Sequence, residues 1–154
     1  SEMCIRDSYK GYTTSILSKL FERVWAVESN KSFLESAKKY NEKNTNIRYI
    51  RENVYAGRKW KKFPIADVVF IDCNHDYKSV TSDLEQSIEH LNDGGFIVMD
   101  DYGLFWQLKD AVHDFIKKMD GEITIHKYIG EPEGSTARKG KVMNDWEGII
   151  LKYK

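Results

Sequence analysis

Along the chain the apolar positions switch period repeatedly, from short unbroken runs to helical spacing and back. Tyr12, Ile16, Leu17, Leu20 and Phe21 share one helical face, with Thr13 or Thr14 placed to cap its start. Val24 to Val27 is a β-type run ending at Glu28, and Ser32 and Glu35 have capping-box spacing ahead of the stripe Phe33, Leu34, Ala37 and Tyr40. Ile47 to Ile50 is a second short strand. Val68 to Ile71 is a third, without a polar interruption, entered through Pro64 and Asp67. Val80, Leu84, Ile88 and Leu91 predict a helix that Asp93-Gly94-Gly95 ends. Phe96 to Met99 is again an unbroken apolar strand, and Leu104, Leu108, Val112, Phe115, Ile116 and Met119 form the next helical stripe. Ile123 to Ile129 and Gly148 to Tyr153 read as two final strands.

Strands alternating with helices predict right-handed crossovers and a mostly parallel sheet, an α/β doubly wound, Rossmann-like architecture. The two fully apolar strands predict burial on both faces. No helical segment separates the last two strands, so they are expected to pair antiparallel. The stretch between them, Gly130 to Trp146, reads as a loop long enough to carry function. The opening residues break the pattern: a doubly wound sheet expects an apolar strand before the first helix, yet Ser1 to Asp7 offers only Met3, Cys4 and Ile5. Residues 1–7 are therefore expected to be a non-native stub standing in a damaged first-strand position, with the domain proper spanning residues 8–154 and the true N-terminus lost.

Composition narrows the class without changing this picture. A length of 154 residues suits one domain, and 41% hydrophobic residues suffice for one core. Basic and acidic residues balance, 24 against 24, which argues against a general electrostatic grip on nucleic acid or on an anionic membrane. No apolar run approaches the roughly 18–20 residues needed to span a bilayer, and no signal peptide is visible. Cys4 and Cys73 have no zinc-ligand spacing and read as two reduced thiols. These features together predict a cytoplasmic protein.

In an open α/β sheet, ligands bind beyond the carboxyl ends of the strands, near the switch in strand order. The residues in those places are Ser8-Tyr9-Lys10-Gly11, Glu28, Asn53, Asp72-Cys73-Asn74-His75 and Asp100-Asp101. A carboxylate at Glu28 can accept both hydroxyls of a ribose, or can simply favour a helix start. Gly11 permits close approach of a ligand to the backbone, but neither GxGxxG nor GxxxxGK[ST] is present. Three carboxylates, Asp72, Asp100 and Asp101, converging in a cleft would repel one another unless a hard cation or protons compensate, and oxygen ligation favours Mg²⁺, Ca²⁺ or Mn²⁺ over zinc. The competing reading makes Asp100-Asp101 a turn and Asp72 a helix cap. His75 has the chemistry of a general base, although a lone histidine is more often a packing residue. Cys73 reads as a small buried filler, Phe105 as core packing, and Tyr102 and Trp106 as either pocket wall or helix start.

The segments SYKGYTT (Ser8–Thr14), VWAVES (Val24–Ser29), FIDCNHDYKSVTSDL (Phe70–Leu84) and LNDGGFIVMDDYG (Leu91–Gly103) resemble class I S-adenosylmethionine (SAM) dependent methyltransferases. The likeness is greatest to the small-molecule O-methyltransferases: the methyltransferase domain 24 type, the catechol and caffeoyl-CoA enzymes, and the macrocin-like sugar enzymes. The resemblance implies a seven-stranded sheet of order 3-2-1-4-5-7-6 with an antiparallel seventh strand. It also implies that Glu28 holds the SAM ribose, that Ser8, Tyr9 and Gly11 approach the methionine end, and that Asn53 lies near the adenine. The same resemblance implies that Asp72 borders the SAM site, that Asp72, Asp100 and Asp101 bind Mg²⁺, and that His75 is the catalytic base beside Asp72. Two departures stand out: where such enzymes carry Glu-x-Gly this sequence has Ile5-Arg6-Asp7, and the N-terminal helices that cover their active site have no counterpart in it, so weak SAM binding or none is expected.

The expected reaction moves the SAM methyl group to the hydroxyl of a small molecule, a sugar or a phenol, with Mg²⁺ assistance and His75 as proton acceptor. The loop Gly130–Trp146 is expected to contribute to acceptor selection. The alternatives are a metal-independent enzyme and a non-catalytic SAM-fold protein, inactive as this chain stands; a nicotinamide-dependent enzyme lacks its glycine fingerprint. No nucleic-acid or membrane partner is expected, and the pattern leaves the oligomeric state open.

Overall fold

The computed structural model describes residues 1–6, 9–53, 60, 63–72, 74–130, 137–138, 141–142 and 146–154. In chain order the elements are β1 (Glu2–Arg6), α1 (Tyr12–Leu17), β2 (Arg23–Glu28), α2 (Lys31–Tyr40), β3 (Ile47–Arg51), β4 (Ala66–Ile71), α3 (Tyr77–Glu89), β5 (Leu91–Met99), α4 (Trp106–Lys118), β6 (Ile123–Ile129), β7 (Ala137–Arg138), β8 (Lys141–Val142) and β9 (Gly148–Tyr153). Seven strands form one sheet in the order β3-β2-β1-β4-β5-β9-β6, and β7 and β8 form a separate two-stranded ribbon. Counting β9 as the seventh strand of the large sheet gives the order 3-2-1-4-5-7-6. The first five strands run parallel, and β9 is antiparallel to both β5 and β6.

The alternation of side chains sorts the core into two layers. Met3, Ile5, Val24, Ala26 and Ile47 face one way, with Leu17 and Phe21 from the α1 region and Tyr49, whose hydroxyl donates to the Ala37 carbonyl of α2. Cys4, Val27, Val69, Ile71, Ile97, Met99, Ile149 and Leu151 face the other way, against Val80 and Leu84 of α3 and Leu108, Val112 and Phe115 of α4. Burial on both faces is what the unbroken apolar strands predicted.

The opening strand differs from expectation. Glu2–Arg6 occupies the central place, paired parallel with β2 along its length and with β4 from Met3 to Arg6, and Met3, Cys4 and Ile5 are fully buried. Three apolar residues suffice because a central strand of five needs only its inward-facing positions filled, two on one face and one on the other. Asp67 secures its start: the carboxylate accepts from the Glu2 backbone N–H at 2.8 Å and from the Asn92 amide at 2.8 Å, tying β1, β4 and β5 together.

Several helix boundaries also differ. Helix α1 is capped by Gly11 in a left-handed conformation (φ 85°), with no side-chain cap from a threonine. Helix α2 is capped by Asn30, whose side chain accepts from the Ser32 and Phe33 N–H groups, so a cap at Ser32 falls two residues too late. Helix α3 stops at Glu89, and Leu91 opens β5, because His90 turns the chain so that its carbonyl accepts from Ala66 N–H. Asp93-Gly94-Gly95 therefore lies within β5. Helix α4 starts at Trp106, leaving Leu104 in the preceding turn. The 130–146 connection contains the β7–β8 ribbon, and its remaining residues up to 145, apart from Gly130, lie outside the described residues.

Candidate active site

The register across the sheet puts the chemistry-bearing residues on one edge. Ile50, Val27, Arg6, Ile71 and Met99 are mutual partners across β3, β2, β1, β4 and β5, forming a single row. One residue further along come Glu28, Asp72 and Asp100. Strand order reverses between β1 and β4, so Glu28 lies on one side of the switch point and the aspartates on the other.

Glu28 is only 3% exposed. One carboxylate oxygen accepts from the Tyr9 backbone N–H at 3.1 Å, and the other from the Asn30 N–H at 2.7 Å. A carboxylate oxygen has two lone pairs, so each of these could accept one further hydrogen bond, as the two hydroxyls of a ribose would require. Glu28 thereby fixes the turns after β1 and β2 relative to each other. Tyr9 itself holds a left-handed backbone (φ 42°), and its ring meets Phe33 edge-on at 4.6 Å. Gly11 has a structural reason of its own. A Cβ there would lie 2.6 Å from Asn41 Nδ2 and 3.0 Å from Ala37 Cα, and the Asn41 amide donates to the Gly11 carbonyl at 2.9 Å. Close packing of α1 on α2 therefore requires the glycine. Asn53 is exposed on the edge beyond β3, and Ser8 and Cys73 lie outside the described residues.

On the other side of the switch point, Asp72, His75 and Asp101 come together, each half-buried, with one potential ligand atom apiece within 4.8 Å of the others. His75 Nε2 lies 3.5 Å from Asp101 Oδ2 and 4.0 Å from Asp72 Oδ1. Asp76 starts α3 directly after His75, accepting from Ser79 N–H, and its hydrogen bonds with Ser79 hold its carboxyl below the usual range. Asp101 has a left-handed backbone (φ 57°) and sits in a tight turn closed by Leu104 N–H donating to its carbonyl at 3.0 Å. Asp100 is exposed and stands apart from the trio. Its carboxylate accepts from the Asp101 N–H at 2.9 Å, so it shapes the turn rather than adding a third oxygen to the cluster.

The aromatic residues after the acidic pair take places that sequence reasoning distributed differently. Tyr102 is fully buried; its hydroxyl meets His113 Nε2 of α4 at 2.7 Å and its N–H donates to the Glu147 carbonyl. Phe105 is 38% exposed rather than in the core, and its ring lies parallel to the His75 imidazole with centroids 4.3 Å apart. Trp106 is 72% exposed at the head of α4. The Phe105 contact joins residues on two strand-end turns, and no local spacing signals it.

Comparison with known proteins gives the family and the fold. Residues 8–102 match the family model Methyltransf_24, described as a methyltransferase domain. A protein of Acanthamoeba polyphaga mimivirus, R132, is 30% identical over 97 residues, 58% of this chain but only 42% of that protein's length. Among solved structures, a Streptococcus mutans protein crystallised with S-adenosylhomocysteine (SAH) superposes with a TM-score of 0.73 at 16% identity, covering 100% of this chain and 89% of that one. The N-methyltransferase NodS of Bradyrhizobium japonicum gives 0.74 at 11% identity, covering 99% and 85%. The O-methyltransferase TomG of Streptomyces achromogenes, solved with SAM, gives 0.68 at 15% identity, covering 99% and 72%. At these identities the structures speak for the fold, whereas the family model spans most of the strand edge built above, and the chain belongs to the methyltransferase-domain family Methyltransf_24, with the class I SAM-methyltransferase fold.

Proposed function

We propose that this protein transfers the methyl group of SAM to a hydroxyl of a small molecule. The observation that carries the reading is the division of the sheet edge: a buried ribose-type acceptor, Glu28, on one side of the strand switch, and an imidazole flanked by two carboxylates on the other. Donor and acceptor would meet over the ends of β1 and β4. The acceptor oxygen attacks the methyl carbon in line, the carbon–sulfur bond breaks with its electron pair going to sulfur, and the hydroxyl proton passes to His75 Nε2. The charge formed there lies 3.5 Å and 4.0 Å from carboxylate oxygens of Asp101 and Asp72, which favour it. The main contribution beyond this is alignment of the two reactants.

The residues fit a divalent cation of the magnesium type. Mg²⁺ is commonly held by one or two carboxylates with water completing an octahedron, and Asp72 and Asp101 supply two within 4.8 Å. Such an ion would polarise the acceptor hydroxyl and lower its pKa. A second reading, without metal, rests on His75 lying between the two carboxylates, which would orient it as the base with no ion present. The balanced net charge of the chain favours a small acceptor over a nucleic acid. Incubation with radiolabelled SAM and a panel of phenols and sugars tests the reading. Label transfer to a hydroxyl supports it, and sensitivity to EDTA decides between the two readings. Absence of transfer to every hydroxyl acceptor, alongside transfer to an amine, would overturn it.

A further inference from the structure

The geometry points to Phe105 as a positioning residue that sets the plane of the His75 imidazole. The inference deepens the proposed role of His75 as proton acceptor and rests on it. A histidine side chain has two torsions to fix before Nε2 points at an acceptor. The β5–α4 turn restrains the imidazole from two directions at once. Asp101 Oδ2 lies 3.5 Å from Nε2 and Asp72 Oδ1 4.0 Å from it, so the two carboxylates favour the rotamer that turns the Nε2 edge towards them. Over the ring face, Phe105 lies parallel at 4.3 Å with an interplanar angle of 0°, so tilting the imidazole requires giving up the stack.

Asp101 and Phe105 come from one short piece of chain. The Leu104 N–H to Asp101 carbonyl bond closes the turn, and Tyr102 and Gly103 donate to the Glu147 and Trp146 carbonyls, which holds it against the start of β9. Phe105 then enters α4 as its N-cap in an extended conformation (φ −122°, ψ 112°), with no side-chain capping bond. Its position does not follow from the core, because more than a third of it is exposed. What its ring covers is the imidazole.

Diethyl pyrocarbonate modification, mapped by mass spectrometry, reads imidazole accessibility without needing an acceptor. His126, exposed on β6, is the internal reference, and His113, bonded to Tyr102 on α4, reports general loosening of that helix. In Phe105→Leu, His75 is expected to react about tenfold faster relative to His126, the scale of an aromatic stack. Phe105→Tyr, which restores the ring, should stay within about twofold of wild type on the same scale. With any hydroxyl acceptor the enzyme methylates, Phe105→Leu should lower kcat by a similar factor and leave the KM for SAM unchanged. Equal rates at His75 in wild type and Phe105→Leu would overturn the inference, as would a parallel rise at His113. Faster modification with unaltered kcat would also overturn it. Because the modification experiment does not depend on methyl transfer, failure of the enzymatic reading and failure of the Phe105 inference give different results.

Discussion

Asp101 holds a left-handed backbone that asparagine adopts as readily as aspartate, so Asp101→Asn removes the charge and keeps the turn. The variant should retain its melting temperature yet lose most methyl transfer, and chelator should have no further effect on it. His75→Ala is expected to lose about 10²–10⁴-fold in single-turnover rate, the usual contribution of a general base, while a divalent cation still binds. Wild-type rates in His75→Ala would remove it from the chemistry. These residues were legible in the sequence because each stands one to four positions past an apolar strand. Position along the chain could say where they sit, but not where they point. Asp100 and Asp101 are neighbours with the same side chain, yet the left-handed turn sends one to the imidazole and the other to a backbone amide. Phe105 was misplaced for a related reason: an aromatic residue just before a helix is apolar whichever surface its ring covers, and here it covers the imidazole.

The element most at odds with the pattern is β1, whose few apolar residues fill a central slot completely. Its start depends on Asp67. Hydrogen bonds from the Glu2 backbone and the Asn92 side chain hold the Asp67 carboxyl below its usual range. A carboxyl with a lowered folded-state pKa stabilises the fold above its ordinary value, and the contribution is lost as pH falls through the lowered value. Asp67→Asn should therefore be less stable than wild type near neutral pH, and the difference should shrink in acid below about pH 4. Urea melts at pH 7 and pH 3 would check this, and a difference independent of pH would show that the charge is irrelevant. The α1–α2 junction makes a second test. Gly11→Ala forces a Cβ against Asn41 and Ala37 in a left-handed backbone, and should cost about 1–3 kcal/mol, the range of backbone strain and overpacking. A chain of this length would then melt roughly 2–10 °C lower. An unchanged melting temperature would mean that α1 can shift off α2.

At the scale of the molecule, the fold was readable because its logic is coarse. Unbroken apolar strands mean a two-faced sheet, and missing helices between the last two strands mean an antiparallel edge. Boundaries were less readable because competing caps look alike in sequence: Asn30 won over Ser32, and His90 over Asp93-Gly94-Gly95, through contacts made only in the folded chain. The assembled sheet edge also makes a thermodynamic claim. A ligand bound only by the folded protein, at about 100 times its Kd, adds roughly 2.7 kcal/mol, so saturating SAH should raise the melting temperature by about 5–10 °C. Homocysteine, which lacks the nucleoside, should do nothing. The most direct measurement is isothermal titration of SAH into the wild-type protein and Glu28→Ala. Glu28 would offer the ribose charge-assisted hydrogen bonds worth about 1.5–3 kcal/mol each, so binding should be saturable and one-to-one in wild type and at least about tenfold weaker in the variant. No saturable binding to the wild type, or equal affinities for the two proteins, would contradict the account.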